Sequence, residues 1–154
     1  MKVLVFHIGP DRYALRLAQV ARVLPAAALK AVPLAPAWVA GLLDLHGEPV
    51  PVIDLSRLSG FTGGQLWYDS RIILVDYAAG EGVGDARTLG LLAEHVTGVE
   101  TVDAAALADS GIKGAPFLGP VADTGNGLLQ LVEPGELLPP DVRALLFQAE
   151  RTAA

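Results

Sequence analysis

The chain reads as an all-β protein, a sandwich or a barrel of short strands. Short apolar runs recur along its length, as half-buried strands require. Glycine and proline punctuate them, at 17 and 11 of 154 residues. Strands do not alternate with long amphipathic helices, so a Rossmann-type parallel sheet is not expected. This pattern does not separate one sandwich from two small barrels, and the two halves of the sequence carry no obvious repeat.

Lys2 to Ile8 is almost wholly apolar and is expected to be a strand buried on both sides. Gly9-Pro10-Asp11 is turn chemistry. Arg12 to Leu17 alternates, with Tyr13, Leu15 and Leu17 inward and Arg12 and Arg16 outward, so Val3 to Leu17 is a hairpin. Val20 to Leu24 is a further short strand. Pro25 and the alanines at 26–28 give a loop or a short helical turn. Pro33 to Pro36 is held extended by its prolines. Ala37 to Ala40 fits one helical turn, with Trp38 plugged into the core.

Val39 to Leu55 is the most informative stretch. Two apolar strands meet at Gly47, which takes the positive φ of a tight reversal. Leu43 and Leu45 point to one face, Asp44 and His46 to the other. Pro49 and Pro51 lack a backbone donor, which places their strand at an edge or gives it an irregular start. Ser56 to Leu58 begins a short helix.

Phe61 to Asp69 reads as a linker. Arg71 to Tyr77 is a strong strand, Gly80 to Asp85 a loop, and Thr88 to Ala93 the return strand. His95 to Val102 continues extended. Val102 to Ala108 is Ala-rich and fits a helix of poor period. Phe117 to Val121 and Leu128 to Val132 are strands about a turn at 123–127. Pro140, with Asp141 as cap, opens a helix over Val142 to Gln148. The residues from Ala149 to Ala154 are expected to fray.

Composition excludes several functions. At 52% hydrophobic and 18% charged, the chain can bury a core. There is no cysteine, hence no disulfide, thiolate metal site or cysteine nucleophile. A net charge of −6 without basic runs argues against nucleic acid. No apolar run reaches the roughly 20 residues of a membrane span, so no direct membrane insertion is expected. Met1-Lys2 leads directly into a strand-like run without a cleavage site, which argues against secretion. His7, His46 and His95 form no paired-His spacing. Asp44 and His46 could share a metal ion only with a third ligand, which the sequence does not identify. Gly80 to Gly84 lacks the Lys-Ser/Thr ending of a phosphate loop, and no nucleophile elbow occurs. Neither an enzyme nor a cofactor has positive support.

The pieces nevertheless stand in a telling order. Phe6 to Leu17 is followed by Val20-Ala21-Arg22-Val23-Leu24. Then come Pro33-Leu34-Ala35-Pro36-Ala37-Trp38-Val39-Ala40-Gly41 and the Val39 to Leu55 stretch. Arg71 to Asp76, Leu89 to Val99, Ile112-Lys113-Gly114 and Leu128 to Leu138 complete it. This succession resembles the CheW family, the adaptor module of bacterial chemotaxis arrays. The resemblance implies two five-stranded, SH3-like barrels about an apolar seam. Residues 1–154 would then be a single domain of two intertwined barrels, with a short C-terminal helix.

It also implies a cytoplasmic, non-enzymatic scaffold without cofactor or metal. Its partners would be the regulatory domain of a CheA-type histidine kinase, itself a similar double barrel, and the cytoplasmic tip of chemoreceptors. The receptor groove maps onto Val20, Arg22, Gly41, Asp44 and His46, with Leu91 and Val96 from the second half. Kinase-contact residues are not resolved. The chain departs from the family at two places, with Arg22 where Glu is usual and His46 where Arg is usual. In the family that Glu and Arg look like a charge pair beside the groove; here both have changed, and Asp44 or Glu48 could take over as the counter-charge for Arg22. Alternatives are a divergent decoy or regulator that binds kinase or receptor only, and a small-molecule barrel. An apolar pocket with Asp44 and His46 converging on it would favour the last.

Overall fold

The computed structural model describes residues 1–61, 70–78 and 86–147, without the side chains of Ala78 and Ala86. Residues 62–69 of the linker expected at 61–69, the loop at 80–85 and the terminal fraying lie outside the described residues. The fold is mainly β. Its strands are β1 (Lys2–Ile8), β2 (Asp11–Arg16), β3 (Val20–Pro25), β4 (Val39–Leu45) and β5 (Glu48–Asp54), followed by β6 (Arg71–Ala78), β7 (Ala86–Thr101), β8 (Leu118–Asp123) and β9 (Leu128–Val132). Two short helices, α1 (Leu55–Leu58) and α2 (Pro140–Leu146), are the α-helices among the described residues.

β7 organises everything else. Its first part pairs antiparallel with β6 and parallel with β5, whose other side carries β4; β3 lies beyond β6. Its second part, from Glu94 on, pairs with β1, and β2, β9 and β8 follow in order. One strand therefore serves two five-stranded, barrel-like halves. The β6 half comes from the middle of the chain, the β1 half from its two ends.

The two halves repeat one another. β1, β2 and β3 correspond to β6, the first part of β7 and its second part; β4 and β5 correspond to β8 and β9. The parallel contact Ala14–Leu131 has its counterpart in Gly90–Val52. A register shift falls between Val5 and His7 in one half and between Val20 and Arg22 in the other. Isolated bridges Lys30–Leu42 and Ala108–Val121 flank β4 and β8 at the same place. The Asp54 amide donates to Trp38 O at 2.8 Å, and the Glu133 amide donates to Phe117 O at 2.7 Å.

The cores follow this repeat. β1 alternates between two of them, Leu4, Phe6 and Ile8 facing the large core and Val3 and Val5 a smaller one. The smaller core also holds Ala122, Leu129 and Leu131; its counterpart in the β6 half holds Leu43, Val50, Val52, Ile72 and Leu74. The large core joins the halves, since Leu15 shares it with Ile53, Ile73, Val75, Leu89 and Leu91. Each such side chain stabilises by about 1.5–3 kcal/mol when fully buried, so the seam is a true core.

Some local expectations change. Residues 37–38 form a turn, with the Val39 amide donating to Pro36 O at 3.0 Å, and the chain enters β4 at once instead of forming a helical turn. The Ala-rich stretch after Val102 makes only one 3-10 turn at Ala104–Ala106, opened by Asp103 accepting from the Ala105 amide. With few apolar positions to bury, alanine propensity alone does not sustain a short helix. Pro139 rather than Asp141 holds the cap position of α2. Pro49 and Pro51 lie where β5 pairs with β4 alone, before it meets β7 at Val52, so no ladder bond on the other side is lost.

Candidate binding surface

The chain crosses between halves twice. β2 leaves through a 3-10 turn at Leu17–Gln19 and enters β3 at Val20. β7 crosses near His95, which takes a left-handed φ of 49°. Val20 and Val96 follow these crossings at equivalent positions, and both are partly buried against the large core. Beyond them β3 pairs with β6, and the second part of β7 with β1, among the described residues. Each therefore presents an outer edge. Val23 is 42% exposed on one and Val99 52% on the other, again at equivalent positions. The sequence reading missed both valines, because exposure cannot be told from an apolar run.

The other expected groove residues have different surroundings. The Arg22 side chain is exposed and makes no ion pair or hydrogen bond among the described residues. Gly41 is buried at a φ of 147°, and a Cβ there would stand 2.6 Å from Lys30 O. Its role is to let the Lys30 segment lie against β4, where Lys30 and Leu42 exchange backbone hydrogen bonds of 2.9 and 2.7 Å. Leu91 is fully buried in the large core and offers no surface to a partner.

Asp44 is exposed, and its carboxylate accepts from the Gly47 amide at 2.7 Å. His46 lies just past β4, in the turn itself, with φ of 52° followed by 91° at Gly47. Positive φ at both central residues is what a type I′ hairpin requires. Asp44 thus serves the turn. Neither it nor Glu48 supplies Arg22 with a counter-charge within ion-pair distance, and Arg22 and His46 are not joined.

A cavity of about 700 Å³ opens elsewhere, lined by Tyr13, Trp38, Phe61, Phe117, Leu137 and Pro140 among others. Asp44 and His46 are not part of it, so the convergence that would favour a small-molecule barrel is absent there. Trp38 packs against the large core and forms part of the cavity wall.

The charges with partners are structural. Arg16 meets Glu133 at 2.6 Å, tying β2 to the end of β9, and Arg12 meets Glu100 at 3.1 Å, tying β2 to β7. Asp54 caps α1, accepting from the Ser56 and Arg57 amides at 3.0 and 3.2 Å. Burial raises the pKa of the Tyr77 hydroxyl, with Arg143 nearby opposing the shift. Tyr13 is raised by burial and by Asp11. Both phenols are therefore neutral at ordinary pH and offer no general base. Among the described residues no cluster of three His, Asp or Glu could hold a metal. No helix there is long and apolar enough to cross a membrane.

Comparison with known proteins agrees with this geometry. The scaffolding protein TtCheW from Thermoanaerobacter tengcongensis superposes with a TM-score of 0.79 over 92% of this chain and 94% of its own, at 24% identity. That likeness shows the fold. No curated protein matches the sequence. The family model of the CheW-like domain matches residues 2–140. By that match the chain belongs to the CheW-like domain family.

Proposed function

We propose that the chain is a non-enzymatic scaffold adaptor of a cytoplasmic chemosensory array. It couples the cytoplasmic tip of chemoreceptors to the regulatory domain of a CheA-type histidine kinase, and residues 1–154 act as one unit. The observation that carries this reading is the CheW-like match across residues 2–140. The two edges beyond Val20 and Val96 give it a surface, since each exposes a valine to solvent. Exposed strand edges and apolar positions suit recognition by shape and main-chain contact.

In this reading Val20, Arg22 and Val96 meet the receptor. Gly41 and Leu91 hold the strands beneath, and Asp44 and His46 shape the neighbouring hairpin. Binding of a purified receptor-tip fragment tests it. Val20→Glu and Val96→Glu are each expected to weaken binding about tenfold or more, because burying an unpaired carboxylate is costly. Wild-type binding by both variants would remove these residues from the interface.

A second reading rests on Arg22, exposed and without a partner among the described residues. Here the chain is a divergent regulator that binds the kinase and not the receptor. Kinase binding together with failure to bind the receptor tip would favour it.

A further inference from the structure

The cavity of about 700 Å³ stands apart from the edges carrying Val20, Val23, Val96 and Val99, none of which lines it. It is built on the internal repeat. Trp38 and Phe117, which both line it, hold equivalent positions ahead of β4 and β8. Their carbonyls accept from the Asp54 and Glu133 amides, so each is tied to the end of the hairpin that follows it. One wall thus comes from each half and is set by its sheet. Tyr13 enters from β2. Phe61 completes the lining and lies against Gly9, where a Cβ would stand 2.5 Å from its ring, so glycine in the β1–β2 turn is what lets that ring approach. Four of the nine aromatic residues of the chain therefore line one cavity.

The charge of the lining is equally uneven. Glu136 is its only charged residue among the described residues, with no Lys, Arg or His beside it. The fold uses the backbone of Glu136, whose amide donates to Glu133 O at 3.1 Å in a 3-10 turn. Its carboxylate makes no ion pair or hydrogen bond among the described residues. Arg143 shares the neighbourhood of Tyr77 with Glu136, but forms no ion pair with it and does not line the cavity.

These features discriminate between occupants. An anion would meet the Glu136 carboxylate. A neutral apolar molecule would strip water from that carboxylate and return nothing for it. A cation gains from the carboxylate and from the aromatic rings, whose faces attract positive charge. The volume falls in the range of sites for whole small molecules, and a single lysine or arginine side chain would leave most of it unfilled.

We infer that this cavity binds a small organic cation with an apolar body, its cationic head set against Glu136 and its body against the aromatic lining. The site goes beyond the adaptor reading and does not rest on it. Asp44 and His46 take no part, and Glu136 is the polar group that selects the ligand.

The test uses the full chain and two probes of matched shape, benzyltrimethylammonium and phenylmethanesulfonate. Binding is followed by calorimetry and by the shift of the Trp38 indole N–H in NMR spectra. The cation should bind with a Kd of about 1 mM or tighter, as the efficiency of so small a ligand implies. The sulfonate should bind at least about tenfold more weakly. Glu136→Gln should weaken the cation at least about threefold and leave the melting temperature unchanged, because its carboxylate holds nothing in the fold. Phe61→Leu keeps apolar bulk without a ring and should weaken the cation by a similar factor. If that variant does not fold, Glu136→Gln and the comparison of probes decide alone. Equal binding of the two probes, or wild-type affinity in Glu136→Gln, would overturn the inference. So would the absence of any Trp38 shift with the cation at about 10 mM, where a site of this affinity is nearly full. Neither the kinase nor the receptor enters the measurement, so its failure leaves the adaptor reading standing.

Discussion

Replacing Gly41 by alanine probes the closest backbone approach at the edge of the β6 half. The new methyl would meet Lys30 O at 2.6 Å and the Leu29 Cβ at 2.9 Å, at a φ of 147°. The first obstacle is backbone and cannot rotate away. It also belongs to the pair of hydrogen bonds between Lys30 and Leu42. Backbone strain contributes about 1–3 kcal/mol and forced displacement about as much again, so the loss should be about 2–6 kcal/mol. For a domain of this size that lowers the melting temperature by roughly 4–24 °C. Gly47→Ala is the control, because a Cβ there meets nothing within 4 Å and only its φ of 91° opposes the change. Its cost should be near 1 kcal/mol. Thermal and urea melts of both variants decide the matter. A Gly41→Ala protein within about 0.5 kcal/mol of wild type would refute the close-approach reasoning. Loss of receptor binding in that variant would then report a direct contact and not a displaced segment.

Other perturbations follow from the same geometry. Arg22→Glu and His46→Arg should each change stability by less than about 0.5 kcal/mol and should add in the double variant, since no ion pair joins the two residues; coupling above 1 kcal/mol in that cycle would contradict this. Arg16→Ala should cost about 1 kcal/mol by breaking the 2.6 Å contact to Glu133, and the loss should shrink in high salt; no change in a urea melt would count against a stabilising pair. The Tyr77 hydroxyl is buried beside Arg143 without a hydrogen bond of good geometry, and its folded pKa is raised above the ordinary value. Its proton is held more tightly in the folded state, so its contribution is intact below about pH 10 and is lost as pH rises through the folded pKa. Tyr77→Phe should therefore be near neutral at pH 7 and should flatten the loss of stability above about pH 10, as followed by melts across that range.

Much of the fold was legible because apolar runs and turn residues carry it. The β1–β2 hairpin, the strand from Arg71 and the strand from Leu128 lie where periodicity and glycine place them. The internal repeat was not legible. Its equivalent positions keep only character, as in Trp38 with Phe117, Leu42 with Val121 and Asp54 with Glu133. An apolar core asks for size and shape, not identity, so two unlike sequences fill the same architecture. The helical expectation after Val102 failed because alanine favours helix without giving it a face to bury.

The candidate site was legible only in part. Val20 and Val96 follow the two crossings, yet Leu91 lies beneath the surface and Gly41 serves a backbone approach. A sequence does not tell whether an apolar strand residue faces core or solvent where a strand changes sheets. Nor does it distinguish an aspartate that caps a turn, as Asp44 does, from one that awaits a partner. Leu34 does not stand out in the sequence, because only its φ and exposure make it unusual.

The most direct measurement is association of the purified chain with the regulatory domain of its cognate kinase, alone and with the receptor tip added. A scaffold adaptor binds the kinase domain with one-to-one stoichiometry, changes little in affinity between low and moderate salt, and retains the kinase domain when the receptor tip joins. A chain that binds neither partner at concentrations of about 100 μM, where even weak specific association is visible, is not such an adaptor.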